Sequence, residues 1–291
     1  VIVWTNEEGV RFGPPMAGSS VFAGKLPLES LHATMTSDDS SVAEDLKALG
    51  YLGDSIPGDR NLSCMIEAHI EQGPILENEK LAIGVVTQVQ GVRVLIVDVE
   101  GEDGHGGTMP MKSRKDACRG ALEIAKSALD FTESIDSRAR MTIGTFDVSP
   151  SSYSTIPGHT RLSIDMRHPD SKILDEMEDS IKAKIKEVST NWSLTVTVDQ
   201  RLRNAPVKFD KDIINEIESV ANELGYGNQM MASGAGHDAM NIAKITPTAM
   251  IFVPCKNGIS HNESEFASPE QLATGTNVLL HTMLRRAVKI D

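Results

Sequence analysis

The sequence predicts an α/β protein with two domains, one of which is discontinuous along the chain. Its 291 residues suffice for one large domain or two ordinary ones, each with its own core. From residue 88 to residue 203 the apolar pattern follows the order strand, helix, strand, strand, helix, strand. Helix and strand patterns also alternate in residues 1–87 and 204–291. We therefore expect these two outer segments to form one domain, into which the middle segment is inserted.

The inserted segment shows the clearest periodicity. Strands are predicted over residues 89–99, 141–148, 159–167 and 194–198, and helices over residues 113–134 and 171–188. In the third strand, apolar and polar residues alternate from Arg161 to Arg167, which indicates one buried face and one polar face. The order βαββαβ is that of a ferredoxin-like sandwich.

The outer segments begin with Val1–Trp4, which we interpret as the end of a buried strand. A turn of helix is expected near Ser20–Ala23. The further elements predicted in these segments are a helix over 40–49, a strand over 65–73, a helix over 213–224, a strand over 247–253 and a helix over 271–288.

Composition narrows the classes of function. Hydrophobic residues make up 40% and charged residues 24%, which is ordinary for a soluble globular protein. The formal net charge of −13 argues against nucleic-acid and anionic-membrane partners, because both need a concentrated positive surface. No apolar run approaches the roughly 20 residues that span a bilayer. Three scattered cysteines (Cys64, Cys118, Cys255) predict free thiols in a reducing, cytoplasmic compartment.

The acidic pair Glu7 and Glu8 directly follows the first predicted strand. Neighbouring residues at a strand end point in different directions, so one carboxylate can bind a metal while the other moves a proton from a metal-bound water. The alternative is a solvated acidic turn, since exposed glutamate pairs are common.

Histidines provide the second set of candidate site residues. His69 lies in AHIEQG, where neighbouring polar side chains can fix its tautomer. His261 follows an apolar strand, and open α/β sheets bind ligands at the carboxyl ends of their strands. With Glu8 they form a plausible set of N and O ligands for zinc or a similar divalent ion, although sequence distance cannot prove that they converge. His105 stands among glycines in GHGGTMP, where a surface histidine is the alternative, and His237 lies in SGAGHDA.

Several of these segments together resemble one enzyme family, the metal-dependent N-carbamoyl-L-amino-acid amidohydrolases, which includes allantoate amidohydrolase and one type of β-alanine synthase. The resemblance covers nearly the whole chain in order. It rests on WTNEEG, HIEQGPILE, GHGGTMPM with RKDA, TIPG with DMRHPD, SGAGHDA and IFVPCKNGISHNE.

The resemblance implies an aminopeptidase-like α/β catalytic domain and an inserted lid domain that also forms a homodimer. It implies hydrolysis of the carbamoyl (ureido) C–N bond, with release of the amino acid, ammonia and CO2. Two divalent metal ions (Zn, Mn, Co or Ni) are implied as cofactors. Glu8, His69 and His261 match metal ligands, and Glu7 matches the general base.

In the implied lid domain, Arg167 matches an arginine that binds the substrate carboxylate, and pairing with Asp165 or Asp170 is the alternative for this side chain. His105 matches a histidine that stabilises the oxyanion, in some members within the partner subunit's site. Gln72 and His237 match supporting positions near the substrate or behind the ligands.

Two departures from the family pattern stand out. Ser154 occupies a position where the family usually has an asparagine that contacts the substrate, so the substrate is open. The family's first metal histidine and its bridging aspartate precede the strand at Val1 and are not in this chain. The 291 residues therefore need not be active alone. Alternatives that remain are an allantoate amidohydrolase, a metallo-aminopeptidase or dipeptidase, and a non-catalytic dimerising remnant.

Overall fold

The computed structural model describes residues 1–288, which divide into two compact units. The outer unit contains Val1–Val89 together with the chain from Val207 onward, and the inserted unit contains Gln90–Pro206. The helices are α1 (Ala17–Phe22), α2 (Leu28–His32), α3 (Val42–Ala48), α4 (Ile75–Glu79), α5 (Ala117–Ile135), α6 (Ser171–Trp192), α7 (Lys211–Glu223), α8 (Ala239–Ile242) and α9 (Pro269–Val288). The strands are β1 (Met65–Ile70), β2 (Ile83–Val89), β3 (Gly91–Glu100), β4 (Gly104–His105), β5 (Arg140–Ser149), β6 (Thr155–Ile156), β7 (His159–His168), β8 (Thr195–Asn204), β9 (Val207–Lys208), β10 (Asn228–Ser233) and β11 (Thr248–Val253).

The outer unit is built on a mixed sheet in the order β1-β11-β2-β10, with β9 added to β2. Strands β1 and β11 run parallel with Ile70 opposite Val253, so their carboxyl ends lie at the same edge of the sheet. All six residues of β11 are buried, as expected for a continuous apolar strand in the centre of a sheet. Apolar residues of β2, β11 and α7 form the main core of this unit.

The inserted unit has a four-stranded antiparallel sheet in the order β5-β7-β3-β8. Helices α5 and α6 contribute the apolar residues that pack on one face of it. In β7 the predicted alternation is confirmed, because Leu162, Ile164 and Met166 are fully buried and the residues between them are partly exposed. The elements follow the chain order βαββαβ, interrupted by the short ribbon of β4 and β6.

A buried ion-pair network holds α6 to this sheet. The guanidinium of Arg93 in β3 is buried and lies 2.8 Å from a carboxylate oxygen of Glu178. Arg203 in β8 contacts the same carboxylate at 2.6 Å. A charge taken out of water is costly unless it is paired, and the two arginines together compensate the buried carboxylate of Glu178.

The mixed α/β class predicted from the sequence is therefore confirmed, but the prediction of a buried strand over Val1–Trp4 is wrong. These residues form no strand, and the Val3 side chain is fully exposed. Trp4 instead packs edge-on against Phe22 of α1, with ring centroids 5.5 Å apart. An apolar run becomes a strand only where a neighbour completes its hydrogen bonds, and the described strands pair with one another rather than with this segment.

Among residues 1–288, no helix combines the length and apolar character needed to cross a bilayer.

Candidate active site

The turn that carries Glu7 and Glu8 is fixed by the start of α1. Backbone carbonyls of Thr5 and Glu7 accept the N–H groups of Gly18 and Met16 at 3.0 and 2.7 Å. The approach requires a glycine at position 18, because a Cβ there would lie 2.8 Å from the Thr5 nitrogen. These amides have no partner inside the helix, so the turn both caps α1 and takes a defined position from it.

The two glutamates lie beside His261, which belongs to the loop that follows β11. Nε2 of His261 is 3.4 Å from a carboxylate oxygen of Glu8. The pKa of Glu7 is raised from its ordinary value, first by burial and then by the negative charges of Glu8 and Asp238, while His69 and His261 act in the opposite direction. A carboxylate with a raised pKa takes up a proton more readily at neutral pH, which suits a general base.

His69 lies at the carboxyl end of β1, opposite Phe252 of β11. Its Nδ1 is 2.8 Å from the carbonyl oxygen of Ile70. A carbonyl can only accept, so this contact assigns the proton to Nδ1 and leaves the lone pair of Nε2 available to a metal. Glu8, His69, Gln72 and Glu265 contribute to the lining of a cavity of about 350 Å³.

Behind His69 lies a buried polar group that sequence reasoning did not assemble. His237 is 1% exposed and packs edge-on against His69, with ring centroids 4.7 Å apart. Its Nε2 is 2.8 Å from the Ser233 hydroxyl, and its Nδ1 is 3.7 Å from the Glu67 carboxylate. The local signal for Glu67 was its position two residues before His69, which places both side chains on one face of β1.

Burial sets the protonation of this group. It lowers the pKa of His237 to about 3, with a further contribution from His69. It raises the pKa of Glu67 to about 7, and the charges of Asp238 and Glu7 act in the same direction. His237 is therefore neutral at pH 7, and its contact with Glu67 is not an ion pair.

The ligand types in this region fit a divalent metal, since imidazole nitrogen and carboxylate oxygen are both ligands of zinc and manganese. Asp238 adds a buried carboxylate oxygen that has no hydrogen-bond partner within residues 1–288. However, no group of three or more His, Cys, Asp or Glu side chains within residues 1–288 is close enough together to hold an ion. The structure thus brings Glu8 and His261 into contact, but it does not form a complete ligand set from the described residues.

In the inserted unit, His105 and Ser154 lie on one short ribbon. Gly104–His105 pairs with Thr155–Ile156, and the N–H of Gly106 donates to the carbonyl of Ser154 at 2.7 Å. The N–H of Gly107 donates to Nδ1 of the exposed His105 at 3.0 Å. This contact makes Nδ1 the acceptor, so in the neutral ring Nε2 carries the proton and can donate it to a ligand.

Arg167 is partly exposed on the sheet face opposite α5 and α6. Its Nε and one Nη donate to the two carboxylate oxygens of Asp165 at 2.9 and 3.0 Å. The pairing with Asp165 that the sequence left open is therefore present. It raises the pKa of Arg167 further, so this group is a permanent cation with a fixed orientation.

Comparison with known proteins identifies the family of this chain. The profile of the peptidase family M20/M25/M40 matches residues 1–285. The chain belongs to this family. An N-carbamoyl-L-amino-acid amidohydrolase of Rhizobium meliloti is 38% identical over 288 residues, which is 99% of this chain and 69% of that protein. A ureidoglycolate hydrolase of Arabidopsis thaliana is 35% identical and is matched over 98% of this chain and 62% of its own length.

A solved structure supports the same assignment. The crystal structure of a hydantoinase/carbamoylase family amidase from Burkholderia multivorans superposes with a TM-score of 0.94 at 40% identity. The match covers 98% of this chain and 69% of that one. The predicted resemblance to the carbamoyl-amino-acid amidohydrolases is thereby confirmed, and the chain is a member of a family of hydrolases that in general depend on two metal ions.

Proposed function

We propose that the protein hydrolyses the ureido C–N bond of N-carbamoyl-L-amino acids, giving the amino acid, ammonia and CO2. The observation that carries the proposal is the contact of Glu8 with His261 beside Glu7, whose pKa is raised. The relatives named N-carbamoyl-L-amino-acid amidohydrolases support the choice of substrate.

The residues of the outer unit divide between metal binding and proton transfer. Glu8, His69 and His261 would hold divalent ions such as Zn, Mn, Co or Ni, together with further ligands from outside residues 1–288. Bound ions would acidify a water and polarise the ureido carbonyl. Glu7 takes the proton of the attacking water and delivers it to the leaving nitrogen, which departs as ammonia or an amine.

The residues of the inserted unit bind and polarise the substrate. Arg167, oriented by Asp165, binds the substrate carboxylate through charge-assisted hydrogen bonds. His105 donates from Nε2 to the oxygen that gains negative charge as the carbonyl is attacked. We assign Ser154, on the same ribbon, to contact with the carboxylate or the ureido group of the substrate. The homodimer through this unit stays a prediction.

Two supporting residues take different roles. Gln72 contributes to the cavity beside His69, where its side chain can reach a substrate. His237 is buried behind His69, so we assign it to the support of that ring rather than to substrate contact.

A second candidate substrate is ureidoglycolate, which the plant relatives from Arabidopsis thaliana and Oryza sativa favour by their names. Like allantoate and N-carbamoyl amino acids, it carries a ureido group and a carboxylate on one carbon. The proposed roles of Arg167 and Glu7 apply equally to all three.

Glu7→Gln tests the proposal, with Glu8→Gln as the matched control. Both variants and the wild type are prepared in two forms. One form contains the 291 residues, and the other adds any sequence that precedes them in the gene. Ammonia release is measured on N-carbamoyl amino acids, ureidoglycolate and allantoate, release of free amino acids is measured on a dipeptide, and bound metal is measured per chain. We expect Glu7→Gln to abolish turnover with metal content preserved, whereas Glu8→Gln loses metal.

The reverse pattern would exchange the roles of the two glutamates. Turnover of the dipeptide alone would favour a metallopeptidase. Wild-type protein with neither bound metal nor ammonia release in either form would favour a non-catalytic remnant.

A further inference from the structure

The backbone at His261 has an unusual conformation for a residue that carries a ligand. Its φ is +54°, in the left-handed region of the backbone that residues other than glycine rarely adopt. Asn257 and Gly258, a few residues earlier in the same loop, also have positive φ. Such a conformation persists only where the surroundings fix it.

The ends of this loop are tied to the rest of the outer unit. The N–H of Asn257 donates to the Glu77 carboxylate at 2.6 Å. Gly258 packs directly on the backbone at Gly73 and Pro74, where a Cβ would come within 2.7 Å. The N–H of Lys256 donates to the carbonyl of Phe266 at 2.8 Å, which closes the loop at its base.

The centre of the loop is held by a chain of side-chain hydrogen bonds. Nε2 of Gln72 donates to the Ser260 hydroxyl at 2.7 Å, and the interaction of that side chain with the Glu265 carboxylate lowers the pKa of Glu265. The same carboxylate accepts the backbone N–H of His261 at 3.2 Å. The backbone N–H of His261 is the next cause that lowers this pKa. Gln72 itself has a φ of +56°, so these hydrogen bonds connect two residues with left-handed backbone conformation, Gln72 and His261, that lie on two different loops.

We propose that Glu265 is a positioning residue that holds His261 in its ligand conformation, with Gln72 and Ser260 completing the hydrogen-bond chain. The proposal rests on the proposed function, in which His261 binds a divalent metal. Glu265 acts here as an acceptor for a backbone amide. A neutral acceptor of the same shape should therefore serve nearly as well, whereas loss of the side chain frees the loop.

The test measures zinc affinity by competition with a chelator for the wild type and three variants, each prepared as the 291 residues together with any sequence that precedes them in the gene. Glu265→Ala removes the acceptor and the charge, and Glu265→Gln removes only the charge. Glu263→Ala removes the same charge from an exposed position in the same loop. The visible absorption of bound Co²⁺ reports ligand geometry, and thermal unfolding of the metal-free variants shows whether each one folds.

We expect Glu265→Ala to weaken zinc binding about 10- to 100-fold, the usual effect of losing a group that orients a metal ligand. It should also change the Co²⁺ spectrum, while Glu265→Gln and Glu263→Ala stay close to the wild type. Unchanged affinity in Glu265→Ala, or an equal loss in Glu263→Ala, would overturn the positioning role. A loss in Glu265→Gln as large as in Glu265→Ala would also overturn it, because charge alone would then explain the effect. A wild type that binds neither zinc nor Co²⁺ when the preceding sequence is included would instead defeat the proposed function, and this proposal with it.

Discussion

Gly18→Ala is the substitution that most directly tests how the turn of Glu7 and Glu8 is positioned. The new Cβ would lie 2.8 Å from the nitrogen and 2.9 Å from the oxygen of Thr5, distances that real Cβ contacts essentially never show. Both contacts are to backbone, so no side chain can rotate away. The clash can be relieved only if the turn moves away from α1.

The expected magnitude follows from these contacts. Adding one carbon to a tightly packed position costs about 1–3 kcal/mol. Movement of the turn also weakens the hydrogen bond from the Gly18 N–H to Thr5, now 3.0 Å, which adds about 1 kcal/mol. We expect the free energy of unfolding to fall by about 2–4 kcal/mol in total. Because the turn carries Glu8, zinc affinity should fall by about tenfold or more, the usual effect of disturbing the support of a metal ligand.

Urea unfolding of the metal-free protein measures the first quantity, and chelator competition measures the second. Gly53→Ala is the matched control, because a Cβ at Gly53 would have no described heavy atom within 4 Å. It should leave both quantities close to the wild type. If Gly18→Ala lost stability but bound zinc normally, Glu8 would not be a ligand positioned by this turn. If neither quantity changed, the close packing at Thr5 would be refuted.

Two further predictions concern the inserted unit. Arg167→Ala should lower kcat/KM for carboxylate-bearing substrates at least about tenfold, chiefly through KM, since a hydrogen bond to a charged group contributes about 1.5–3 kcal/mol. The control is Arg201→Ala, which breaks a similar pair with Asp199 at 2.9 Å. An equal loss of kcat/KM in both variants would contradict the assignment of Arg167. The second prediction concerns Asp136, whose carboxyl pKa is held well below the ordinary 3.8 by the side chain and the backbone N–H of Arg138. The ionised Asp136 therefore stabilises the fold above pH 3.8, and this stabilisation is lost as the pH falls through the folded-state pKa. Asp136→Asn should therefore lower the urea midpoint at pH 7 but not at strongly acidic pH, and a difference independent of pH would show that ionisation of Asp136 is not involved.

Much of the chemistry could be anticipated from short segments of sequence. The mixed α/β class follows from the periods of apolar residues, which reflect the geometry of the backbone in each element. The alternation from Arg161 to Arg167 placed the arginine on the polar face of β7, where the structure has it. The same reasoning failed for Val1–Trp4, because a strand needs a neighbour and an apolar run does not say whether one exists.

Sequence alone thus determined the class, the family and the residue types of the candidate site. The tertiary structure decided which of them meet. The parallel pairing of β1 with β11 brings the end of one strand, with His69, to the same sheet edge as the loop of His261, and the cap on α1 brings Glu8 to that loop. Burial of His237 against His69 and the bond from Gln72 to Ser260 likewise depend on packing between distant segments. The physical reason is that local periodicity fixes an element's faces, whereas convergence depends on the pairing of strands that lie far apart in the chain.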